Sequence, residues 1–149
     1  MSSKTVILQI PGAEPQGQPR PRVYRTGGRV ITHSPHTAYY SRIMTAAVRA
    51  KMQKGAFPAE GYIDISADIY FALPKSLTKK EKAARLKAMY HTQKPDCDNL
   101  AKAILDALVA ARLIADDRQV SYLRIIKRWS TEHDTVIHIS WYNNEEEKK

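Results

Sequence analysis

The side chains best suited to chemistry are four aspartates. Asp96 and Asp98 lie in Lys94-Pro95-Asp96-Cys97-Asp98-Asn99-Leu100, and Asp116-Asp117 follow later in the chain. On an extended backbone, residues two apart point to the same side. Asp96 and Asp98 would then share one side, with Cys97 on the other. Crowded carboxylates destabilise a fold unless a cation or a proton relieves the repulsion. Hard divalent cations with oxygen ligands are the usual relief, and Mg²⁺ combines one or two carboxylates with substrate phosphate. The pattern suggests Asp96, Asp98 and Asp117 as ligands of Mg²⁺, with Mn²⁺ as a substitute, for phosphodiester chemistry. Asn99 and Asp116 stand beside them to orient a ligand. The plainer reading makes Asp98 a helix cap and leaves Asp96 and Asp117 as solvated loop residues. An EF-hand does not fit, because Ala101 occupies the position that needs glycine.

A helix must position these groups. Asp98 is a favourable N-cap, and apolar residues follow at Leu100, Ala103, Ile104, Ala107, Leu108 and Ala111, the spacing of one buried face. The expected helix is Asn99 to Arg112. Lys102 and Asp106, four apart, share the opposite side. Lys102 lies one turn beyond Asp98, where an ammonium can stabilise developing negative charge or orient a water. Its alternative role is an ion pair with Asp98 and Asp106. A helix of fourteen residues is about 21 Å long, and the five residues from its end to Asp117 span at most about 17 Å. Asp117 therefore struggles to reach Asp96 and Asp98 of its own chain. A twofold dimer with this helix antiparallel to its mate would solve the problem, giving a composite site. Leu105 and Val109, apolar on the back of the helix, would gain cover.

Asp96-Cys97-Asp98-Asn99-Leu100, Lys102, Asp106-Ala107-Leu108 and Asp116-Asp117-Arg118-Gln119-Val120 closely resemble the signature of the RusA-like Holliday-junction resolvases. That signature reads D-x-D-N-x-x-K, then D-A-L, then D-D-x-Q-V, at this spacing. The resemblance implies a small, dimeric, Mg²⁺-dependent endonuclease that nicks four-way DNA junctions. It also implies catalytic roles for Asp96, Asp98, Lys102 and Asp117. The family carries an R-P-R usually preceded by a lysine; here Arg20-Pro21-Arg22 follows Gln18. Lys127 matches a lysine that the family tends to carry.

The bulk properties agree with a nucleic-acid partner. The 149 residues make one domain, and the net charge of +9 implies a polyanion. From Lys75 to Lys94 there are seven basic residues against one acid, Glu81. Lys75, Lys79, Lys80, Lys82, Arg85, Lys87 and Lys94, with Arg20, Arg22 and Lys127, are the expected DNA contacts; a merely solvated face is the alternative for the run. The single cysteine, Cys97, excludes an internal disulfide and is expected to be a small core residue. No apolar run approaches the length of a membrane span, so a cytoplasmic location without membrane contact is expected. A non-catalytic nucleic-acid-binding module, or a less selective flap or fork nuclease, shares these bulk features.

The remaining elements follow from periodicity. Val6 to Ile10 reads as a strand, and Val23-Tyr24-Arg25 with Arg29 to Thr32 as a hairpin around Gly27-Gly28. A helix is expected from Ser34-Pro35 to Gly55, with Tyr40, Ile43, Met44, Ala47, Val48 and Met52 inward. Tyr62 to Leu73 alternates as a half-buried strand. Thr78-Lys79-Lys80-Glu81 is a capping box opening a helix to about Tyr90. Val120 to Trp129 and Thr135 to Trp141 read as an antiparallel hairpin. The expected fold is α+β: a mixed, largely antiparallel sheet with about three helices in a twofold homodimer. The domain would span residues 1–142, with 143–149 a charged tail.

Overall fold

The computed structural model describes residues 2–19, 22–33, 36–54 and 57–143. In chain order these form β1 (Ser2–Gln9), β2 (Arg22–Thr26), β3 (Arg29–His33), α1 (Ala38–Lys54), β4 (Tyr62–Ala72), α2 (Lys79–Ala88) and α3 (Cys97–Ala110). A 3-10 turn (Asp117–Gln119), β5 (Val120–Ser130) and β6 (Asp134–Asn143) complete them. The fold is α+β, with three helices and a mixed, mostly antiparallel sheet in the order β1-β6-β4-β5. Residues 144–149, most of the expected tail, lie outside the described residues, and Asn143 ends β6.

β4 is the centre of the sheet because its alternation is the cleanest. Ile63, Ile65, Ala67, Ile69 and Phe71 are buried, while Asp64, Ser66, Asp68 and Tyr70 between them stay half-exposed. A strand so apolar on one face gains most when both of its edges are paired. β6 pairs with it antiparallel and β5 parallel. The expected β5–β6 hairpin is therefore not formed: the two strands flank β4 and do not pair with each other. The link between Ser130 and Asp134 crosses the end of β4 instead. Four Cα steps reach up to about 14 Å, enough for the roughly 9.6 Å between strands two apart. There Leu73 N donates to Ser130 O (3.1 Å) and Ala72 N to His133 Nδ1 (3.0 Å).

The helices α1 and α3 pack against each other, and their inward residues join the apolar face of the sheet in one core. Leu100, Ala103, Ile104, Ala107 and Leu108 of α3 are buried, as the spacing requires. α1 turns the first part of the expected stripe inward, Met44 included, but not its end. Tyr39, Tyr40, Ile43 and Ala47 are buried, but Val48 and Met52 stay exposed. The small side chains Ala46, Ala47 and Ala50 face the core, which permits a close approach to α3. Ser34 and Pro35 lie outside the described residues. Thr37 performs the cap, its Oγ1 accepting from Tyr40 N at 3.1 Å. The β2–β3 hairpin forms around Gly27 and Gly28, both at positive φ, which a two-residue primed turn requires. Among the described residues, no helix is long and apolar enough to cross a membrane.

Candidate active site

The α3 helix begins two residues earlier than its sequence suggests. Asp96, not Asp98, is the N-cap, with extended backbone angles (φ −74°, ψ 155°), and Cys97 and Asp98 are already helical. The two carboxylates therefore do not share one side of an extended strand. Asp96 makes no side-chain capping bond, although aspartate at that position usually does. Both residues are exposed, and no hydrogen bond or ion pair among the described residues engages either carboxylate. Two free negative groups at the positive end of a helix dipole are electrostatically tolerable and available to a cation. Cys97 is exposed rather than buried beneath them.

Lys102 is exposed one turn further on. The expected pairing with Asp98 and Asp106 is not formed: the ion pairs among the described residues are Arg118–Asp116 and Arg128–Asp68. An unpaired Lys102 keeps its three donors for an incoming anion.

The second pair of acids is set by Gln119. Its Oε1 accepts from Ala115 N (2.9 Å) and Asp116 N (3.2 Å), and its Nε2 donates to Ala59 O (3.1 Å) and Gly61 O (3.3 Å). Asp116 completes a reciprocal cap by accepting from Arg118 N at 3.0 Å. That bond, followed by one to Asp117, holds the Asp116 carboxyl below its ordinary range. Asp117 is pushed the other way, first by its hydrogen bond with Asp116 and further by the charges of Asp116 and Asp106. Asp117 lines one cleft with Asp106, in the carboxyl half of α3, and not the cleft at its amino end. Asp106, Asp116 and Asp117 border a cleft of about 420 Å³ with Gln18, His36 and Tyr40. Tyr40 has its phenol raised, by burial and then by Asp106. The Asp106 contribution was missed from sequence, although its four-residue step from Lys102 was visible.

A second cleft of about 620 Å³ lies at the amino end of α3, lined by residues that include Gln18, Lys94, Asp96 and Asn99. Gln18 borders both clefts. The segment carrying it lies close against α3, with Gln18 N donating to Asn99 O at 3.3 Å. Gly17 is required there, since a Cβ would stand 2.8 Å from Asn99 Cβ. Gly17→Ala is expected to cost about 1–3 kcal/mol, as overpacking does, and to lower the urea midpoint without changing the slope. An unchanged midpoint would show that this segment does not need its seat on α3.

The basic helix α2 forms half of its expected capping box and buries no residue: Thr78 Oγ1 accepts from Glu81 N at 3.1 Å, but the Glu81 carboxylate accepts from the Thr78 hydroxyl (3.1 Å) rather than from Thr78 N. Lys75, Lys79, Lys80, Lys87 and Lys94 are exposed and Lys82 is half-exposed. Arg85 departs from the expected outward contact. Its guanidinium lies 4.8 Å from the centre of the Trp129 ring, anchoring α2 to β5. Lys127 departs further: it is 9% exposed, and its ammonium donates to Gln93 O and Pro95 O at 2.5 and 2.7 Å. Arg20 lies outside the described residues, as does the side chain of Arg22.

Between α2 and α3, His91 is buried, stacked on Phe71 at 3.8 Å and tilted against Trp129. Burial, then the charges of Lys127 and Arg85, push its pKa down from 6.5 to about 4. It has no role as a metal ligand in this geometry. A histidine held neutral in the fold takes up its proton in the unfolded chain first. Its stability contribution is therefore full above pH 6.5 and is lost as pH falls toward about 4. His91→Phe is expected to flatten the fall of melting temperature across that window. Parallel pH profiles for the two proteins would refute this.

Among the described residues, no three histidine, cysteine or acidic side chains come together as a metal site. Asp96 lines the cleft at the amino end of α3, with Asp98 exposed two residues further on, and Asp116 and Asp117 line the other cleft. The donor set is all oxygen, which suits Mg²⁺ or Mn²⁺, and the unengaged Asp96 and Asp98 fit such an ion. The family model described as Endodeoxyribonuclease RusA matches residues 12–140. The uncharacterized protein YqaN of Bacillus subtilis (strain 168) is 32% identical over 122 residues, covering 80% of this chain and 84% of its own length.

Proposed function

Because the chain belongs to the Endodeoxyribonuclease RusA family, we propose that it is a Mg²⁺-dependent endonuclease resolving four-way DNA junctions by paired nicks, in recombination and repair. The observation that carries this reading is the pair of exposed, unengaged carboxylates, Asp96 and Asp98, opening α3 close in sequence to the basic α2. Asp96 and Asp98 would hold the metal, with Asp117 as the third ligand. A bound Mg²⁺ supplies Lewis acidity at the scissile phosphate and acidifies the water that attacks it. Lys102 meets the negative charge that develops on the phosphate or orients the water. Asp116, fixed by the bonds from Arg118 N and to Gln119 Oε1, sets the turn that presents Asp117. Lys75, Lys79, Lys80, Lys82, Lys87 and Lys94 bind the DNA backbone, making affinity fall steeply with salt.

The protein acts as a homodimer of residues 1–142, in which Asp117 of one subunit completes the site of the other. The separation of Asp96 from Asp116 and Asp117, which line different clefts, supports that arrangement. The same separation favours one rival, a non-catalytic junction-binding module. Strand cleavage of a synthetic four-way junction, with matched duplex as control, in Mg²⁺ and in EDTA, separates them. Paired nicks that need Mg²⁺ and spare the duplex are expected. Junction binding without cleavage in Mg²⁺ or Mn²⁺ would leave the binding module. Equal cutting of duplex would keep the chemistry and remove the junction selectivity.

A further inference from the structure

We infer that Lys127 is a positioning residue, a strut that holds the Gln93–Pro95 segment so that Asp96 and Asp98 stand ready for the cation; this rests on the metal reading above. Burying an ammonium is costly unless its protons are taken up. Here Nζ donates to two carbonyls two residues apart, Gln93 O at 2.5 Å and Pro95 O at 2.7 Å. Pro95 immediately precedes Asp96, the N-cap of α3. The main chain of the same lysine holds the other end of the segment, Lys127 O accepting from His91 N at 3.0 Å. Trp129 N donates to Met89 O at 2.8 Å just upstream. One residue of β5 thus fixes both ends of the stretch that joins the basic helix to the acidic one. With 9% exposure and two of its three donors engaged by carbonyls, Lys127 is turned away from a phosphate at the surface.

Lys127→Met removes the donors and keeps the length of the side chain. Its affinity for Mn²⁺, read by electron paramagnetic resonance on the protein without DNA, is expected to fall roughly 10- to 100-fold, the usual effect of losing a group that orients a ligand. Saturating metal should restore most of the nicking rate. The slope of log affinity for the junction against log salt should not change, whereas a lost phosphate contact lowers it by about 1. A measurement on the unaltered protein covers a variant that fails to fold. Lys127 should resist acetylation with and without junction, while Lys79 reacts freely and is protected by DNA. Unchanged Mn²⁺ affinity with a reduced salt slope overturns the inference. So does a Lys127 that acetylates as readily as Lys79 and is shielded only by junction. A wild type that binds no Mn²⁺ removes the metal reading and this inference with it; equal binding by wild type and variant removes the inference alone.

Discussion

Asp98→Asn is expected to reduce Mg²⁺-dependent nicking of a four-way junction by about 10³-fold or more, while junction affinity changes less than about threefold. The size follows from what a ligand does. A cation contributes several kcal/mol of charge stabilisation in the transition state, and each 1.36 kcal/mol is a factor of ten in rate. The fold should tolerate the change, because Asp98 is exposed and no described residue depends on its carboxylate. Losing an acid from the first turn of α3 costs about 0.3–1 kcal/mol of dipole interaction. DNA binding should persist and even tighten slightly, since one negative charge leaves a surface that meets phosphate. Rates in Mg²⁺ titrations, beside affinities measured in Ca²⁺, separate the two effects. Full activity in Asp98→Asn, or a loss of binding that accounts for the loss of cutting, would remove Asp98 from the chemistry.

Local signals in the sequence were sufficient for most elements. The inward face of α3, the Thr78 cap of α2 and the two-residue turn at Gly27-Gly28 each depend on neighbours within a few positions, and each forms. What depended on distant partners was not legible in this way. Alternation tells which face of β5 and β6 is inward, but not that β4 lies between them. Leu123 has inward parity, opposite Ile65, yet stays exposed because β5 is an edge strand that nothing described covers there.

The inward placement of Lys127 was legible in the sequence. It shares parity with Ile125 and Trp129, so the alternation itself points it inward. Its charge suggested DNA, but two backbone carbonyls supplied the partners that a buried ammonium needs. Asp96 and Asp98 both suit a cap, and composition could not choose between them. The chain places Asp96 there and leaves its carboxylate uncommitted. Val48 and Met52 of α1 had helical spacing but stay exposed, while Tyr39, not expected inward, is buried beside the expected Ala47.

The placement of Asp117 leads to the second large effect. Mixing Asp98→Asn with Asp117→Asn protein under conditions of subunit exchange is expected to restore nicking to about one quarter of wild type. Each homodimer alone should be inactive, lacking a ligand in both sites. In a heterodimer with composite sites, one site receives both substitutions and the other receives none. Random exchange makes about half of the dimers mixed, each with one intact site of two. The product should be singly nicked, since paired incisions need both sites. The geometry behind this is that Asp117 shares a cleft with Asp106. Asp98 and Asp106 are eight residues apart on one helix, about 12 Å along its axis. A metal–carboxylate contact is only about 2 Å long, so the acids of one chain do not close on one ion in this arrangement. An antiparallel α3 from a second copy would bring its Asp106–Asp117 region toward the first copy's Asp98, covering the half-exposed Leu105 and Val109. Native mass spectrometry of differently tagged subunits shows whether exchange has occurred. If mixed dimers form and the mixture stays inactive, each site draws its ligands from one chain, and α3 or the turn at Asp117 must move when the metal and DNA bind.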